Sequence, residues 1–179
     1  MLRPRLTMLT AMILAAAFSR LIPHPPNLTS ITAFALFGGA YFSDKRLAFL
    51  VPLAALLLSD LVLGVYRHME IVYASFALIV CIGLWLQRHR SPLNIAGAAL
   101  ASSVLFFLLT NFGVWAFDSM YPKTLDGLVA CYVAAIPFFK NMLEGDLLYT
   151  FVLFGGFAFL EREFSVLRRP SIRSGTPAA

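Results

Sequence analysis

Ile71 to Leu86 reads IVYASFALIVCIGLWL, an uncharged apolar run. As a helix it extends about 24 Å, close to the roughly 30 Å hydrocarbon thickness of a bilayer. Similar runs follow one another along the chain: Leu6–Leu21, Leu47–Tyr66, Asn94–Phe117 and Asp146–Leu160, with a shorter one from Thr29 or Ser30 to Phe42. Helices of this kind must hide their apolar sides from water, and five or six of them require either lipid or a very large core. Composition selects lipid. The chain is 60% hydrophobic and 13% charged, against about 25% charged in soluble domains. The expected fold is all-α: a polytopic membrane protein of six transmembrane helices, with an extra interfacial helix between spans five and six.

The net charge of +5 would suit nucleic acid in a soluble protein, but here it fits loops enriched in Lys and Arg on the cytoplasmic side. The two cysteines, Cys81 and Cys131, are too far apart for a CxxC metal site. Phosphate-loop, HExxH and GxSxG patterns are absent, which removes the usual nucleotide and hydrolase signatures.

Pro23, Pro25 and Pro26 end the first helix, because proline lacks an N–H and disfavours helix in the residue before it. A cleaved signal peptide is the alternative for the first span, since AAAFS resembles a cleavage site. Ala11 and Ala15 set a small-xxx-small spacing that lets another helix approach. Asp118 to Asn141 is the longest connection. Its apolar stretch Leu125–Phe139, interrupted by Pro137, is expected to lie at the interface. Residues 1–165 are expected to form a single transmembrane domain and 166–179 a basic, frayed tail. Six spans put both termini on one side, with Arg5, Lys45, Arg46, Arg88, Arg90 and the tail arginines, and leave Arg20, Arg67, Lys123 and Lys140 on the other. This bias predicts cytoplasmic termini.

On the opposite, outer side, His24, Asn27, His68, Asp118, Tyr121, Asp126, Glu144 and Asp146 are expected to gather. Asp60 lies within a span, where a carboxylate is either a functional group or half of an ion pair, with Arg20 at the matching depth. Cys81 lies deeper, on a helix face with Ala74 and Ala77 and beside Tyr73. Small neighbours leave room for a ligand, and a thiol is the group there that can bind a soft metal. The alternative is close helix packing around a cysteine that acts as a small hydrophobe. Phe107, Asn111 and Trp115 share another helix face. Tyr66 and Trp115 are either pocket walls or interfacial aromatics.

The segments RLIPHPPNLTSITAFALFGGAYF, VPLAALLLSDLVLG, VYASFALIVCIG, FFLLTNFGVWAF and GDLLYTFVLFG resemble bacterial substrate-binding S-components of energy-coupling factor transporters over about residues 15–160. With Cys81 in the fourth span, the chain is similar to the cobalamin (vitamin B12) uptake subunits of that group. The resemblance implies a vitamin cavity open to the outside, with His24, Asn27, Asp60, Tyr66, Tyr73, Ala77, Asn111 and Trp115 as binding residues. It also implies contact of Ala11 and Ala15 with an energy-coupling module where one is present, and Cys81 as axial cobalt ligand, with possible thiolate-assisted removal of cyanide from cyanocobalamin. No nucleotide is expected on this chain, and the expected location is a bacterial inner membrane. The competing readings are an S-component-like transporter for another vitamin or chelate, a thiol-dependent membrane enzyme acting on corrinoids, and a structural membrane subunit.

Overall fold

A computed structural model describes residues 4–168. Among these, the regular structure is entirely helical. The six helices are α1 (Pro4–Ser19), α2 (Ile31–Tyr41), α3 (Lys45–Leu63), α4 (Met69–Leu86), α5 (Pro92–Phe117) and α6 (Leu125–Glu163). Helices α3 to α6 are long and apolar enough to cross a membrane, while α1 and α2 are shorter apolar helices. Large hydrophobic side chains such as Leu50, Leu61, Leu100, Val133 and Phe151 face outward, as lipid-facing surfaces of a membrane bundle do.

The short helix α2 is the core. Every residue from Thr32 to Tyr41 is buried, and all five other helices contact it, α4 most extensively. Glycines permit that contact. A Cβ on Gly39 would lie 2.3 Å from the carbonyl oxygen of Val80, and one on Gly83 would lie 2.4 Å from that of Leu36. The two backbones therefore touch directly, the geometry that small residues allow between membrane helices.

A buried helix must have its terminal N–H and C=O groups satisfied from elsewhere. Both ends of α2 are served by side chains of other helices. At its C-terminal end, Gln87 Nε2 donates to the carbonyls of Gly39 and Phe42, at 2.9 and 2.7 Å. At its N-terminal end, Ser30 occupies the cap position without capping, because its hydroxyl donates to Ala16 O on α1. The carboxyl group of Asp146, from α6, takes that place beside Thr32.

The segment 125–139 is not a separate interfacial helix. It is continuous with the sixth span in the 39-residue helix α6. Pro137 lacks one N–H, but neighbouring helices in a bundle tolerate such a gap. Five residues of α6, Phe151–Gly155, adopt a wider π-helical turn. The exposed pair Lys140–Glu144 (4.0 Å) divides α6. From Gly145 to Glu163 it extends about 28 Å, enough by itself to cross the hydrocarbon. The tail is also docked further than expected: Ser165–Leu167 forms a 3-10 turn with Leu167 buried, and Arg5 donates to the Leu167 carbonyl. Residues 169–179 of the expected tail lie outside the described residues.

Candidate functional site

The end of the bundle that holds the α1–α2 loop contains a cavity of about 280 Å³. The α1–α2 loop contributes Asn27 and Thr29, and α5 contributes Phe106, Phe107, Thr110, Asn111 and Val114. The outer half of α6 adds Ala135, Phe138, Phe139 and Met142, while Arg20 and Ile31 line the base of the first two helices. Asn27 has φ +62°, a left-handed conformation that asparagine tolerates better than most residues. Asn141 Nδ2 holds the same loop through the Pro26 carbonyl at 3.0 Å.

Arg20 connects the cavity to a buried polar network. Its Nη2 pairs with Asp60 Oδ1 at 2.8 Å, with both side chains buried, and its Nη1 donates to Ser59. Asp60 Oδ2 accepts from Tyr73 at 3.1 Å and from Tyr66 at 3.2 Å. Burial first, and then the Asp60 charge, push the Tyr66 hydroxyl well above its ordinary pKa, so it remains a donor. Arg20 and Asp60 cancel each other's charge, which leaves the cavity wall without a strong net charge. Its free polar capacity is mixed: Arg20 Nε is a donor without a partner, and acceptors are free beside it. Asn111 Nδ2 donates to Phe107 O and Thr110 Oγ1 to Phe106 O, each at 2.8 Å, which leaves the Asn111 Oδ1 and the Thr110 lone pairs for a ligand. Phenylalanine faces supply the rest of the wall.

Of the residues singled out in the sequence, Asn27 and Asn111 line the cavity, and Asp60, Tyr66 and Tyr73 stand behind Arg20. The ion pair between Arg20 and Asp60 is the one expected from their matching depth. Four other residues lie apart. His24 is exposed on its loop. Ala77 is packed within α4, outside the cavity lining. Trp115 Nε1 donates to Pro122 O at 3.0 Å, which ties the α5–α6 loop instead of lining the cavity. Cys81 is exposed. It shares the outward face of α4 with Ala74, Leu78 and Trp85, because the inward face is occupied by Ser75, Phe76, Ile79, Val80 and Gly83 against α2.

Two outer-side expectations also change. Asp146 is not at the surface. It is buried between α2, α5 and α6, where Ser103 Oγ donates to its Oδ2 at 2.7 Å and Thr32 presents both hydroxyl and amide to the carboxyl group; even so, Oδ1 has no donor in close hydrogen-bonding geometry. Asp118 and His68 join a clasp separate from the cavity. Arg67 Nη1 lies 3.0 Å from Asp118 Oδ1, and His68 Nε2 lies 3.3 Å from Oδ2. The hydrogen bonds from Arg67 and then His68 hold the Asp118 carboxyl below its ordinary pKa. Sequence reasoning missed Phe138, Phe139 and Met142, which enter the site because α6 is continuous.

Fold and cavity define a helical membrane protein with a small cavity at one end, lined by four phenylalanines and by an arginine whose charge is paired. The chain belongs to a family of unknown function, DUF6580, which it matches over residues 1–170. No curated protein and no solved structure matches it.

Proposed function

We infer that this protein captures a small organic solute at one membrane face, in the manner of an S-component, and that it works in a bacterial inner membrane with both termini cytoplasmic. The observation that carries this reading is the cavity between the α1–α2 loop, α5 and α6, whose arginine is held by a buried carboxylate. A buried, hydrogen-bonded polar network opening on an apolar chamber is what a solute site within a membrane requires. The free Arg20 Nε donor, the free acceptors and the phenylalanine faces suit a flat, vitamin-sized molecule that carries both hydrogen-bond donors and acceptors. An energy-coupling module, if one joins it, would meet α1, where Ala11 and Ala15 are exposed.

Cobalamin is the solute to which the sequence resemblance points. A cavity of about 280 Å³ is at the low end for drug-sized ligands and far too small for a corrinoid, so cobalamin would require the α1–α2 loop and the outer part of α6 to separate. Cobalt ligation and decyanation at Cys81 would further require that outward-facing sulfur to turn toward the ligand. Equilibrium dialysis of the purified protein in nanodiscs, against cobalamin and a panel of smaller vitamins, tests both levels. Saturable binding that Asn111→Ala or Phe107→Ala weakens at least about tenfold, the loss of roughly one buried contact, is the expected result. Absence of saturable binding across the panel rejects solute capture. A preparation that turns red with cobalamin and loses the colour on Cys81→Ala would establish the cobalt reading.

A further inference from the structure

The opposite end of the bundle holds a larger cavity, of about 480 Å³. Its lining joins apolar Leu6, Leu9, Leu47 and Val166 to charged Arg5, Arg168 and Asp44. Arg5 is paired with Glu161, and Asp44 accepts from the backbone N–H of Arg46 at 2.8 Å as the cap of α3. Arg168 has a different environment: its Nε and Nη2 donate to the carbonyls of Glu161 and Arg162, and among the described residues no carboxylate pairs with it. Arg168 also lines an adjoining pocket with Arg90, Arg162 and Glu161. The Arg90 and Arg5 guanidinium groups both lie over the Tyr41 ring, 4.8 and 6.0 Å from its centroid. Four guanidinium groups, from Arg5, Arg90, Arg162 and Arg168, thus line the two adjoining cavities against two carboxylates, Asp44 and Glu161.

The geometry points to a binding site for an anionic phospholipid, with the headgroup phosphate on Arg168 and its neighbours and an acyl chain in the apolar half. The apolar half distinguishes lipid from free phosphate, which has no use for Leu6, Leu47 and Val166. The chain also has a path outward: Leu47, Leu50, Leu58 and Leu61 recur along one face of α3, and Leu50, Leu58 and Leu61 are exposed. Basic pockets at the end of a helix bundle are recognised sites for acidic headgroups.

The test is native mass spectrometry of the full chain with equimolar phosphatidylglycerol and phosphatidylcholine. Preferential retention of phosphatidylglycerol is expected, and Arg168→Gln should reduce that preference about fivefold, the equivalent of about 1 kcal/mol for one basic residue near a headgroup. Leu47→Trp, which fills the apolar half without changing charge, should lower phosphatidylglycerol retention by a similar factor and keeps the test independent of any effect of Arg168 on folding. Equal retention of the two lipids, a preference that neither variant alters, or full displacement of phosphatidylglycerol by millimolar inorganic phosphate would each overturn the assignment. The outcome is independent of solute capture at the other end.

Discussion

At the scale of single residues, the Arg20–Asp60 pair decides the most. Two opposite charges buried together require each other, because removing one leaves the other without compensation in a low-dielectric interior. Asp60→Asn or Arg20→Met should each lower unfolding free energy by about 3–5 kcal/mol, whereas the double substitution Arg20→Met with Asp60→Leu should cost clearly less than the sum. Denaturation in mixed micelles provides the measurement. Cys81 is placed equally clearly. With Cys131 replaced, a nitroxide attached at Cys81 should be relaxed by dissolved oxygen and not by a water-soluble nickel chelate, as on a lipid-facing surface. The reverse pattern would place the sulfur in an aqueous cavity and restore it as a ligand. Asp118 carries the pH dependence. Its depressed pKa means that the Arg67–Asp118–His68 clasp is fully present above the ordinary aspartate value of about 4. It is lost as pH falls through the lower, folded value. Hydrogen exchange in the α5–α6 loop should therefore rise on acidification below about pH 4, and Asp118→Asn should show the faster exchange already at neutral pH.

At the scale of elements, α2 depends on its neighbours. Gln87→Leu would strand two buried carbonyls and should cost about 1–3 kcal/mol. Gly39→Ala should be at least as damaging, because the added methyl meets the backbone of α4 instead of a movable side chain. Thermal unfolding of the two variants tests whether close approach or capping contributes more. The sequence showed where α2 begins and ends and the glycine pair Gly38–Gly39 that suggests tight contact. It did not show which residues complete its termini, because Gln87 and Asp146 are distant in sequence and carry no local signature of that role. Cys81 shows the opposite failure. Helical periodicity places Ala74 and Cys81 correctly on one face, but periodicity alone does not say whether that face meets a cavity or lipid. Only the packing of α4 on α2 decides it. Asp60 was legible because a carboxylate within an apolar run demands a partner, and Arg20 was at hand.

At the scale of the whole molecule, α6 sets the proportions. If Lys140 and Glu144 mark the water boundary, Lys140→Cys in a cysteine-free background should react with a membrane-impermeant maleimide in sealed vesicles of one orientation, and Leu153→Cys should not. The extra helix expected between the fifth and sixth spans is instead the first part of one continuous helix. The helix that defines the core covers only about 16 Å along its axis, far short of the bilayer's thickness, and the cavity proposed as the solute site sits where it starts. A solvated vestibule above a short plug concentrates the transmembrane voltage across the plug. A molecule that enters the chamber crosses little of that electrical drop, and even a charged one gains only a small share of the roughly 2.3 kcal/mol that a full passage at 100 mV would supply. If the cavity takes up solute as proposed, loading should therefore ignore membrane polarisation, and any electrical sensitivity of transport should arise after the solute leaves it.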